Sequence, residues 1–92
     1  MDELDASSAL AAAKTAVRTE RLRIARSAES DADERQLTAE DLMRAILTAT
    51  AAELEDRGCQ RWRLVGGVDI DKMPITLDVE IEPNWVRVVK VF

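Results

Sequence analysis

Met73-Pro-Ile-Thr-Leu-Asp-Val-Glu-Ile-Glu-Pro-Asn-Trp-Val-Arg-Val-Val-Lys-Val-Phe92 closes the chain and decides its fold. From Ile75 to Ile81 apolar and polar residues alternate strictly, with Thr76, Asp78 and Glu80 between Ile75, Leu77, Val79 and Ile81. A two-residue period means a strand with one buried and one open face. Pro83-Asn84 brings turn chemistry, a fixed φ followed by a residue that tolerates unusual backbone angles. The stretch therefore predicts a β-hairpin. With that turn, Glu82 faces Trp85, Glu80 faces Arg87, Val79 faces Val88 and Ile75 faces Phe92. One face then collects Ile75, Leu77, Val79, Ile81, Val86, Val88 and Phe92. The other collects Thr76, Asp78, Glu80, Trp85, Arg87, Val89 and Val91.

Before the hairpin, residues 59–65 predict a further strand, in which Trp62 and Leu64 alternate with Arg61 and Arg63. Gly66-Gly67 reads as a turn or bulge. With Trp62 and Leu64 inward, Arg61 and Arg63 share a face with Asp78 and Glu80, and opposite charges across strands help fix register. Three consecutive strands make an antiparallel meander.

Upstream, Thr38-Ala-Glu-Asp41 is an approximate capping box, with Leu37 and Leu42 placed for a hydrophobic staple. Leu42, Ile46, Ala49 and Leu54 follow helical spacing, and Arg57-Gly58 is a stop signal. This predicts a helix from residue 38 to about 57. Residues near 5–29 are alanine-rich and free of Gly and Pro, which favours helix. Leu10, Val17 and Ile24 give that helix a thin apolar stripe, interrupted by Arg21. Residues 30–36 read as a polar break. The expectation is a single α+β domain over residues 1–92: two N-terminal helices, the first within residues 1–29, packed on a three-stranded antiparallel sheet, with residues 37–92 supplying the second helix and the strands.

Ninety-two residues with a net charge of -5 suit one modest core and poorly suit a phosphate backbone, so nucleic acid is not an expected partner. There is no histidine, no tyrosine and one cysteine, Cys59. That removes Ser-His-Asp and Cys-His catalysis, histidine-based metal sites and any intramolecular disulfide. No apolar run is long enough for a bilayer, and the acidic start lacks the charge of a secretory signal. The reading is a cytoplasmic protein without membrane contact, cofactor, metal or catalytic residues.

Several clusters have bland readings that outrank the functional ones. Glu34-Arg35 reads as a solvated pair. Asp69, Asp71, Glu80 and Glu82 lack a calcium-loop pattern, and two of them fall where turn chemistry is expected. Cys59 has no base to activate it and reads as a small buried residue at a strand start. Trp62 reads as core.

The run from Ser27 onward resembles the DUF4258 family of small bacterial proteins, related in fold to the RelE/BrnT-type ribonuclease toxins. The matching residues are Ala28, Glu34, Arg35, Thr38 and Asp41, with Leu37 as a conservative exchange, then Asp71-Lys-Met-Pro-Ile75 and Val86-Arg-Val-Val-Lys-Val-Phe92. The resemblance implies a toxin-like RNA-cleaving or translation-inhibiting protein, or the accessory partner of one. Ser27 stands where the family has histidine, Asp31 where it has arginine and Gln36 where it has glycine, so chemistry carried by those positions is missing here.

The helices can cover only one face of the sheet, and an uncovered face is normally polar. Here it is expected to hold Trp85, Val89 and Val91 among Asp78, Glu80 and Arg87, with the final strand as a free edge. These six residues are the predicted interface. The predicted function is a non-catalytic module that self-associates, with a two-fold dimer as the default, and binds a protein partner or small ligand. The competing arrangement folds the first helix over that second face in a compact monomer.

Overall fold

The computed structural model describes residues 4–92; residues 1–3, which carry the acidic start, lie outside the described residues. Helix α1 spans Ala6–Arg18. The Asp5 carboxylate caps it by accepting from the Ser8 N–H at 2.7 Å. Ala9, Ala13 and Ala16 form its buried stripe, and side chains this small let the helix axis approach the sheet closely. Glu20, at φ 59°, turns the chain out of the helix.

The predicted continuous helix to residue 29 is corrected at this point. Leu22–Ile24 form a short strand, β1, and a new helix, α2, runs Arg26–Glu34. Alanine content favours helix locally, but Leu22 and Ile24 gain more by lying in a sheet beside Val86 and Val88. The polar run 30–36 is thus mostly helix, because Ala28 and Ala32 give α2 a buried side.

Helix α3, Ala39–Thr48, begins with the predicted capping box. The Asp41 N–H donates to the Thr38 hydroxyl at 3.2 Å, and the Thr38 N–H donates to the Asp41 carboxylate at 2.9 Å. Its end is nine residues earlier than Arg57 suggests. The Thr48 hydroxyl donates to the Arg44 carbonyl at 2.7 Å and accepts from the Val68 N–H at 2.9 Å, Ala49 at ψ 140° leaves the helical geometry, and Ala51–Asp56 extend into a strand, β2. Leu54, predicted on the helix face, instead lies opposite Trp62.

Strands β3 (Arg61–Val68), β4 (Pro74–Ile81) and β5 (Val86–Val91) follow. The sheet order is β1-β5-β4-β3-β2, antiparallel throughout except for the parallel pair β1-β5. The expected three-stranded antiparallel meander under two helices is therefore corrected, among the described residues, to three helices with a five-stranded mixed sheet; the class remains α+β. Strand β5 is interior to the sheet, so the predicted free edge is corrected too. The edges are β1 and β2.

All three helices contribute to one core with Trp62, Leu64, Ile75, Leu77, Val79, Ile81, Val86, Val88 and Val91, so one sheet face is covered. Fully buried Leu42, Ile46, Leu64, Leu77, Val79 and Val88 each stabilise the fold by roughly 1.5–3 kcal/mol relative to exposure. Helix α1 shares this face with α3, which also corrects the alternative that it folds over the second face. The predicted Gly66-Gly67 bulge is present as a register shift in the β3-β4 pairing. A Cβ on Gly67 would collide with the Ala45 carbonyl, so α3 approaches β3 this closely only over a residue without a side chain.

Candidate interaction surface on the open sheet face

The uncovered face is an ionic layer with an aromatic residue at two corners. The hairpin turns at Pro83-Asn84, with the Glu82 N–H donating to the Trp85 carbonyl at 3.0 Å. The predicted pairs Glu80–Arg87 and Val79–Val88 are present. Directly opposite residues share a face, so Asp78 and Glu80 of β4 stand with Arg61 and Arg63 of β3, Arg87 and Lys90 of β5, Glu53 of β2 and Arg23 of β1.

Asp78 is the centre of this layer. Its side chain is only 3% exposed, between Arg61 at 3.2 Å and Arg63 at 2.9 Å. Arg63 also reaches Glu55 at 2.8 Å, and Arg87 binds Glu80 at 2.7 Å. Hydrogen bonding to Asp78 raises the Arg63 pKa above its ordinary value, and hydrogen bonding to Glu80 does the same for Arg87. The Arg87 Nε is buried without an acceptor among the described residues.

Trp85 is 37% exposed, with the Arg23 guanidinium 4.6 Å from its ring centroid. Phe92 is 42% exposed, with Arg63 at 4.3 Å and Lys90 at 5.0 Å. Cations over aromatic faces hold both the ring and the charged arm in place.

Of the six residues predicted for the interface, Trp85, Arg87, Asp78 and Glu80 are together on the open face. The other two are not. Val79 pairs with Val88 but Asp78 pairs with Lys90, so Val89 is an extra residue, half-buried at a bulge. One extra residue inverts every side chain beyond it. Val91, opposite Leu77, is therefore buried on the helix-covered face. Phe92, expected in the core, is instead on the open face. Sequence reasoning missed Arg23 because it missed β1; the alternation Leu22-Arg23-Ile24 was the available signal.

The remaining candidates have structural roles. Ser27 donates to the Val89 carbonyl at 2.8 Å, and Asp31 accepts from the Val91 N–H at 3.1 Å. Asp69 accepts from the Met73 N–H at 2.9 Å inside the β3-β4 turn. Cys59, predicted buried, is exposed in the β2-β3 turn, because the strand starts only at Arg61. Local desolvation first, then the Asp56 and Glu80 carboxylates, raise its thiol pKa, the opposite of what a nucleophile needs. Among the described residues no His/Cys/Asp/Glu group is arranged to hold a metal, and no helix is long and apolar enough to cross a membrane.

In comparisons with known proteins, no family model matches the chain, and no curated protein or solved structure matches it. The resemblance to the DUF4258 family rests on the residues quoted for it.

Proposed function

We propose that this chain is a non-catalytic, cytoplasmic binding module that self-associates as a two-fold dimer through its open sheet face. The observation that carries the reading is the pairing of Trp85 and Phe92 with arginines across a layer of intrachain ion pairs. Aromatic residues and arginine are the types enriched where protein surfaces meet. The ion pairs matter for the same reason. Charges already paired within one chain are buried against a partner at less cost than isolated ones. Arg23, Arg61, Arg63, Arg87 and Lys90 nearly balance Glu53, Glu55, Asp78 and Glu80, so the face suits a copy of itself better than a polyanion.

The RNA-cleaving alternative draws less support. Ser27 and Asp31, the positions matched to the family's histidine and arginine, are occupied in hydrogen bonds to β5. Trp85→Asp and Phe92→Asp test the proposal. Each variant, with its fold checked by circular dichroism, is expected to have a lower solution mass than the wild type at the same micromolar concentration. A mass unaffected by both substitutions contradicts the use of this face.

A further inference from the structure

The two sheet edges are built differently. On β2, Glu53, Glu55 and Asp56 are exposed acidic residues close together along the edge strand, and charged side chains there disfavour strand addition by a copy. The β1 edge has no such row. In the parallel pairing with β5, Arg21 accepts from the Val86 N–H at 3.0 Å and the Ala25 N–H donates to Val88 at 2.8 Å. Odd-numbered residues of this segment therefore address β5. The backbone N–H and C=O groups of Leu22 and Ile24 point outward.

Beneath that edge lies an open groove of about 510 Å³. Leu22 and Ile24 form one wall, Ala32 of α2 and Leu37, Ala39 and Leu42 at the start of α3 the other. Glu29 and Asp33, one helical turn apart on α2, border it. Both are exposed, and neither has an ion-pair partner among the described residues. Among the described residues, backbone groups without a partner, an apolar slot below them and two carboxylates without an ion-pair partner at its border occur together at one place.

We propose that the β1 edge is a docking site for an extended segment of a partner protein, added as a sixth strand. Backbone hydrogen bonds to Leu22 and Ile24 supply affinity, and alternate side chains supply specificity. The side chains facing the groove are apolar, followed by a lysine or arginine that reaches Glu29 and Asp33. The side chain opposite Arg23, on the other face, is acidic. A second copy of this chain fits poorly: two β1 strands paired antiparallel about Arg23 would set that arginine against its own copy. The groove lies on the helix-covered side and the site shares Arg23 with the open face; its backbone and groove contacts do not use Trp85 or Phe92, so its failure would leave the dimer reading untouched.

Selection from a random short-peptide library displayed on phage, with the full chain as bait, tests the site. The enriched peptides are expected to alternate apolar and polar residues and to carry a basic residue. Synthetic versions should bind the wild type in titration calorimetry and bind Phe92→Asp equally well. Methylating alternate backbone nitrogens of the peptide should weaken binding at least about tenfold, since each strand-adding N–H is needed. The double variant Glu29→Arg with Asp33→Arg changes two exposed positions. It should lose at least about tenfold in affinity and enrich acidic peptides instead. The proposal is overturned if no peptide is enriched, if the enriched peptides bind the charge-reversed variant as tightly as the wild type, or if backbone methylation has no effect.

Discussion

The Asp31 carboxylate and the Val91 backbone N–H, 60 residues apart in the chain, meet at 3.1 Å. Strand β1 pairs with only the first half of β5. Past its end, α2 takes over the same edge, with Ser27 on the Val89 carbonyl and Asp31 on the Val91 N–H. A helix side chain thus satisfies backbone groups that a longer strand would have paired. Asp31→Ala leaves a buried donor without its acceptor, so we expect a loss of about 1–3 kcal/mol in urea melts. A loss confined to a few tenths would mean that water serves Val91 equally well.

Leu77 sits in the centre of β4 and is fully buried beneath the helices. Leu77→Ala is expected to cost about 2–5 kcal/mol, the range for removing a large core side chain. Denaturant unfolding reads it directly, and a shift under 1 kcal/mol would place the wrong face inward.

Gly67 makes the complementary prediction, since the obstacle there is contact and not a cavity. Gly67→Ala must displace the α3 backbone at Ala45, and about 1–3 kcal/mol is expected from such overpacking. Equal stability of the variant and the wild type would show that α3 is free to move away from β3.

Asp41 joins three parts of the fold. Its carboxylate accepts from Thr38 and, at 3.2 Å, from the Ile70 N–H in the β3-β4 turn. Those backbone hydrogen bonds from Thr38 and Ile70 hold its pKa below the ordinary carboxylate value. A depressed folded-state pKa contributes stability that is present above the unfolded value and is lost as pH falls through the folded one. We therefore expect stability to fall on acidification below about pH 4, with a shallower fall in Asp41→Asn. Identical acid limbs for the two proteins would remove Asp41 from the account.

The hairpin and the α3 cap were legible because their signals are local. Alternation from Ile75 to Ile81, Pro83-Asn84 and Thr38-Ala-Glu-Asp41 each act within a few residues. Strand β1 was not legible in the same way. Three residues between two alanine-rich stretches carry little pattern of their own, and Leu22 and Ile24 become strand residues only against Val86 and Val88, more than sixty positions later. The same holds for β2: Ala51–Asp56 has no β-branched residue, and its pairing with β3 overrides a helix-favouring composition. The open face was half legible. Four of its predicted residues came out together, while the bulge at Val89 moved Val91 inward and Phe92 outward. An alternating pattern does not reveal an inserted residue when valines stand on both sides of it.

The central claim is that two copies meet across the face that carries Trp85 and Phe92, and light scattering on the wild-type chain over a micromolar dilution series tests it most directly. The account predicts a mass near twice the 10.2 kDa of one chain at the upper end, falling toward one chain on dilution. A mass of one chain at every concentration would contradict it.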